Sequence, residues 1–310
     1  MKIIHLRNKA IDYNRWDKCI GQAQNQLPYA FTWFLDVVSP SWEALVTEDY
    51  EYLMPLPVKS RYKIPYLVQP VLTQQLGIFS NLEITEDIVE KFIKEIPYFS
   101  YELNLNGANI YSKAIIYPNL LLNLDALYVD IYKKFSKNTQ RNIDKAKKSE
   151  LKILSDLSPE TYLSFYFSVD KHYLSPQQPV LKQLIEKALV ENALTIYGVL
   201  SKESELIAAL CLLKSSNRLI YLLPVSNAQG KNSFAMFHLI NSIILENADQ
   251  PKILDFEGSR IEGIARLYRG FGAENHPYYI LKRFRPSFLV GKIKSKETRK
   301  QGDEETTREN

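Results

Sequence analysis

Three apolar runs in the second half of the chain, LTIYGVL from Leu194, LIAALCLL from Leu206 and RLIYLLPV from Arg218, constrain the fold more than any other feature. They are joined by SKESE and KSSN, links of five and four residues. A parallel pair needs a crossover of roughly a dozen residues or more, so links this short dictate consecutive antiparallel hairpins. Two helical stretches precede them. SPETYLSFYFSV opens with Ser158 as a cap and Pro159 at the first helical position, and PVLKQLIEKALVEN is amphipathic. After the third strand, the loop SNAQGKN leads to an amphipathic helix over Ser233 to Asn247, and then to the strand KILDF. Helix–helix–βββ–α–β–α–β is not the alternating pattern of a doubly wound sheet.

The first half mixes both element types. Helices are predicted over Asp12 to Ala23 and Phe31 to Val38, followed by strands in WEALVTED, YEYLMPLPV and IPYLVQPVLTQQLGIF. EDIVEKFIKEI repeats apolar residues at helical spacing (Ile88, Phe92, Ile93, Ile96), while YELNLN alternates at period two and KAIIYPNLLLNL reads as further strand. The expected fold class is therefore α+β (mixed α/β). Its domains are expected at residues 1–125 and 126–290, before a charged tail at 291–310 with too few apolar residues to order itself. A chain of 310 residues can bury two cores.

Composition narrows function by exclusion. No apolar run reaches the roughly 18–20 residues that span a bilayer, and charges recur through MKIIHLRNKAIDYNRW where a secretory leader would be apolar. A cytoplasmic protein without an integral membrane segment is expected. Cys19 and Cys211 form no CxxC, and His5, His172, His238 and His276 are scattered, so no metal site is expected. A net charge of +4 does not call for DNA.

The stretch DFEGSRIEGIARLYRGFGA, from Asp255, carries the candidate chemistry. ARLYRGFGA resembles the late motif of the GNAT acyltransferase superfamily, with Tyr268 on the motif tyrosine, Gly272 on its glycine and Ala273 where phenylalanine is usual. The resemblance implies that Tyr268 protonates the leaving thiolate of coenzyme A. Acyl transfer to an amine also needs a group to take the amine's proton. A carboxylate at a strand end can do so, which makes Glu257 the candidate base and Asp255 the second. The alternative is structural: Tyr268 packs under the sheet, and Glu257 caps a helix starting near Arg260.

FSKNTQRNIDKAKKSELKIL, from Phe135, resembles a segment of the Fem-type peptidoglycan aminoacyltransferases, with Lys137, Arg141, Ile143, Lys145 and Ala146 on the pattern. DFEGS and PYAFTWFLDVVSPSWEAL are similar to their strand end and N-terminal region, so the likeness spans most of residues 28 to 284. It implies two GNAT-like domains in tandem, each a mostly antiparallel sheet flanked by helices. It also implies transfer of an acyl or aminoacyl group to an amine acceptor, either a small molecule or a cell-wall precursor, with acyl-CoA or aminoacyl-tRNA as the donor. Acyl-CoA would serve as a co-substrate rather than a tightly bound cofactor.

Lys133, Lys137, Arg141, Lys145, Lys148 and Lys152 recur every three or four residues, so a helix would line them along one side, suited to a phosphate-rich partner or simply to solvent. Arg141 is the strongest candidate of these, because guanidinium holds phosphate bidentately; Arg269 is expected to face an anion too. Gln229, Gly230, Asn232 and Ser233 occupy the loop where a GNAT enzyme cradles pyrophosphate, but no second glycine follows. A polar loop with Ser233 capping the next helix fits equally. Gln69, Gln74 and Gln75 either orient a polar substrate at the domain junction or satisfy local hydrogen bonds. Two further classes stay open: a non-catalytic binding protein for an anionic ligand, and a peripheral membrane protein using the basic helix.

Overall fold

The computed structural model describes residues 1–169, 175–258 and 261–283; the expected tail at 291–310 and Arg260 lie outside them. The chain opens with β1 (Ile3–Leu6), α1 (Tyr13–Gln22) and α2 (Thr32–Val38), then β2 (Glu43–Thr47), β3 (Leu53–Leu56), β4 (Val58–Arg61) and β5 (Ile64–Val68). Next come α3 (Glu86–Lys94), β6 (Tyr101–Leu105), β7 (Ile115–Tyr117) and β8 (Leu120–Asn123). The two basic-segment helices are α4 (Tyr128–Lys133) and α5 (Lys137–Lys147), followed by β9 (Lys152–Leu154), α6 (Pro159–Val169) and α7 (Gln178–Val190). The three hairpin strands are β10 (Leu194–Leu200), β11 (Leu206–Lys214) and β12 (Arg218–Ser226). The chain continues through α8 (Ala228–Asn232), α9 (Ala235–Asn247), β13 (Ile253–Asp255), α10 (Glu262–Gly270), β14 (Glu274–Asn275) and β15 (Tyr278–Lys282).

Local chemistry explains the helix starts. Asp12 accepts a hydrogen bond from the Arg15 amide to cap α1, and Thr85 does the same for α3 through Ile88. α2 has no cap of its own. Asp17, one helix earlier, takes both the Thr32 amide and the Thr32 hydroxyl, so α1 terminates its neighbour's orphan donors. The expected single basic helix is broken: Ser136 caps α5 through the Thr139 amide, which ends α4 at Lys133 and places Lys152 on β9. The stripe is thus divided among three elements. IPYLVQPVLTQQLGIF likewise yields a strand only over Ile64–Val68, because Leu72 and Gly77 sit at positive φ and turn the backbone out of the ladder.

The sheets are mixed and mostly antiparallel. A three-stranded sheet runs β1-β2-β3, a five-stranded sheet β4-β5-β6-β15-β7, and a seven-stranded sheet β14-β8-β13-β12-β11-β10-β9. Only β5–β6 and β12–β13 pair in parallel among these strands. Sheet membership crosses the division at residue 125: β8 belongs to the seven-stranded sheet, and β15, near the end of the described chain, sits between β6 and β7.

Apolar packing also joins the halves. One face of the seven-stranded sheet packs with α6 and α7 against Trp16, Tyr29, Phe34 and Trp42 from the first forty-odd residues, all fully or almost fully buried. The Trp16 indole donates to the Ala30 carbonyl and that of Trp42 to Asp36, so neither ring leaves its N–H unpaired. The opposite face packs on α9 and α10, and a third core lies under α3.

A candidate acyl-transfer site where two parallel strands part

β12 and β13 pair in parallel over only three positions, Arg218 with Ile253 to Ile220 with Asp255. Beyond them Leu223 takes a positive φ of 52° and Glu257 one of 57°, and no ladder joins the two strands further on. Open sheets bind ligands outside the carboxyl ends of parallel strands, where the chains diverge. Glu257 stands at that end. A non-glycine residue in the left-handed region costs roughly 1 kcal/mol and persists only where its surroundings fix it. Here Asp255 does the fixing, its Oδ1 accepting the Glu257 amide at 2.9 Å.

The last residue of β13 and the one that follows it serve opposite faces. Asp255 points toward the first half, 1% exposed in its side chain, and pairs with Arg218 at 3.1 Å. Phe256 points the other way and stacks on Tyr268 with ring centroids 4.6 Å apart. Tyr221 meets both rings edge-on, and Tyr268 is 7% exposed. The Glu257 carboxylate accepts a hydrogen bond from the Tyr29 hydroxyl and comes near enough to Tyr268 for its charge to hold that phenol's proton more tightly. Burial pushes Glu257 up to about 7, with the Tyr29 hydroxyl pulling it back down and the Asp255 charge adding to the rise. Asp255 is raised as well, by burial first, against the pull of Arg218. Tyr29 and Tyr268 are both pushed above the ordinary phenol value, mainly by burial, and stay protonated.

Glu257 and Asp255 therefore share one strand end, with Tyr268 beside it, stacked on Phe256 on the other face. Two members of the cluster, Tyr29 and Arg218, escaped the sequence reading. Tyr29 lies 228 positions from Glu257, and nothing in its flanking PYAF distinguishes it from a core tyrosine.

The remaining candidates sit apart. Gly230 is buried, and a Cβ there would overlap the Ile207 carbonyl oxygen, so the glycine lets α8 close onto β11. We expect Gly230→Ala to cost about 1–3 kcal/mol, read as a shift in the urea midpoint at unchanged slope. Gln229 and Asn232 are exposed. The expected Ser233 cap is not formed; its hydroxyl donates back to the Gln229 carbonyl, and Phe234, at φ 58°, precedes α9 instead. Lys137 and Arg141 are exposed on α5, Arg141 donating to Asn138, and Lys145 lies over the Phe234 ring, 5.1 Å from its centroid. Arg269 is held in a two-point ion pair by Glu262 of its own helix. Gln69 is occupied by Thr73 and Asn104, whereas Gln75 lines a cavity of about 750 Å³ between the halves. Neither Glu257 nor Tyr268 lines that cavity. Among the described residues there is no cluster of three or more metal-ligating side chains and no helix long and apolar enough to cross a membrane.

Comparison with solved structures decides the architecture. A crystal structure of FemX matches over 91% of this chain and 97% of its own, with a TM-score of 0.66 at 9% identity. The chain has the Fem-like fold. The C-terminal domain of a protein described as a lysylphosphatidylglycerol synthetase from Agrobacterium fabrum shares it at a TM-score of 0.55 and 8% identity, over 88% of this chain and 92% of that one. A conserved protein of unknown function from Bacteroides thetaiotaomicron matches at 0.55 and 11%, over 88% and 98%. No family model matches the Fem-like chain, and no curated protein does by sequence.

Proposed function

We propose that this Fem-like protein is an N-acyltransferase that moves an acyl or aminoacyl group from an activated carrier to an amine. The observation that carries the reading is Glu257: a carboxyl at the parting of two parallel strands, fixed in a left-handed turn by Asp255 and held at about 7 by burial. A base poised near the working pH takes the proton that the neutral amine loses as it attacks, then releases it readily. Tyr29 donates a hydrogen bond to that carboxylate and orients it. Tyr268, protonated throughout the physiological range, is the proton donor to the leaving group. The fold shared with FemX and with a lysylphosphatidylglycerol synthetase domain supports an aminoacyl donor.

The test pairs donors with a panel of amines. Purified protein is incubated with aminoacyl-tRNAs or acetyl-CoA, and acylated amines are read by mass spectrometry. Transfer from at least one donor is expected, and transfer from tRNA should fall steeply between 50 and 200 mM salt, on the order of tenfold or more, as phosphate contacts are screened. Tyr268→Phe should lower the turnover rate by about a hundredfold with little change in stability. Absence of transfer from every donor, with salt-sensitive binding retained, would instead favour the reading as a binding protein for an anionic ligand, which the enclosure of Tyr268 among aromatic rings also suits.

A further inference from the structure

The hairpin of β4 and β5 ends in a two-residue loop, Tyr62-Lys63, because Arg61 pairs directly with Ile64. Both loop residues take positive φ, 51° and 64°, the conformation that tight hairpin turns ordinarily give to Asn-Gly. Bulky side chains there strain the backbone, and a strained pair is retained where it serves something other than the turn. The side chains are displayed rather than packed. Tyr62 is 74% exposed and Ile64 42%, with Lys63 and Pro65 exposed beside them.

The parallel register of β5 on β6 sets this tip beside a second exposed aromatic. Leu67 pairs with Tyr101, so two positions earlier in both chain segments Pro65 comes level with Phe99, which is 63% exposed. The Arg283 guanidinium covers that ring, 5.7 Å from its centroid, and Arg61 covers Tyr62 at 5.3 Å. Lys59 and Lys63 add two exposed cations on the same hairpin. The carboxylate on strands β4, β5, β6 and β15, Glu102, is already engaged by Lys282 at 3.5 Å. This end of the five-stranded sheet is therefore positive and apolar at once. The residues that follow Arg283 in the sequence, FRPSFLVGKIKSK, carry the same mixture of aromatic, aliphatic and basic side chains.

Projecting aromatic and aliphatic side chains among cations suit the boundary of an anionic bilayer, where tyrosine sits at headgroup level and lysine and arginine meet lipid phosphates. Ile64 and Pro65 give a base no aromatic ring to stack on, which favours lipid over RNA. We propose that the Tyr62 hairpin, with Phe99 and Arg283, docks the protein on membranes rich in anionic lipid. This surface lies on a different sheet from Glu257 and uses no residue of the basic helix α5. It goes beyond the acyl-transfer reading, and its test needs no turnover.

The full chain is sedimented with vesicles of phosphatidylcholine alone or with about one third phosphatidylglycerol. Partitioning onto the anionic vesicles should be at least about tenfold stronger, and should weaken at least about tenfold between roughly 0.1 and 0.5 M salt. Giving the loop its favoured residues, Tyr62→Asn with Lys63→Gly, should leave the urea midpoint unchanged or higher while weakening vesicle binding about tenfold or more. Tyr62→Trp should bind like the parent, its added indole emission moving to shorter wavelength on anionic vesicles. Charge reversal on α5, Lys137→Glu with Arg141→Glu, should change binding by less than about twofold. The proposal is overturned if the parent ignores anionic vesicles or binds both kinds alike, if the loop variant binds like the parent, if the indole emission does not shift, or if the α5 variant loses as much binding as the loop variant. Binding of single-stranded RNA by the parent, lost in the loop variant and without any vesicle binding, would assign the surface to nucleic acid and overturn it too.

Discussion

Glu257→Gln should slow transfer sharply and stabilise the protein at the same time. Loss of a positioned base is worth about 10²–10⁴ in rate. The stability change follows from the same carboxyl. Folding raises Glu257 from 4.5 to about 7, so between those values the folded state binds the proton that the unfolded chain releases. Wild-type stability therefore falls as pH climbs through that window and levels off above it, at a cost of about 3 kcal/mol. Glutamine accepts the Tyr29 hydroxyl without ionising. The variant should match the wild type near pH 4 and exceed it by up to about 3 kcal/mol at pH 8, measured by urea unfolding at each pH. Equal stabilities across that range would mean that Glu257 is not held in its neutral form by the fold.

Arg218→Ala has the opposite sign and the largest expected effect on folding. It leaves Asp255 buried with no cation beside it, and stranding one member of a buried pair costs about 3–5 kcal/mol. The loss should shrink toward acid pH. There Asp255, already raised by burial and no longer pulled down by Arg218, takes up a proton and ceases to be a buried charge. Asp255→Asn in the same chain should restore part of the stability at neutral pH. Because Asp255 also fixes the Glu257 turn, Arg218→Ala should reduce transfer too, and Arg218 acts there as a positioning residue.

The two predictions concern residues that the sequence reveals unequally. The hairpins β10 to β12 were legible because their links are too short for any other pairing, and α3 because Phe92 and its neighbours repeat at helical spacing. Asp255 and Glu257 were legible as acids at the end of an apolar strand. What the linear pattern lacks is partnership across long separations. β15 lies between β6 and β7 although about 170 residues separate it from them, and period-two alternation says nothing about which sheet a strand joins. Tyr29 reads as one more core aromatic until the fold sets its hydroxyl on Glu257. The basic stripe and the Ser233 cap failed for a local reason: Ser136 and Ser233 each used a hydroxyl on nearby backbone, ending one helix early and delaying another.

The most direct measurement is kcat/KM for transfer against pH, in the wild type and in Glu257→Gln. A proton-accepting Glu257 gives a rate that rises with pH through a midpoint near 7, and the variant's residual rate lacks that limb. A limb of the same midpoint and height in both proteins would place the base elsewhere and contradict the account.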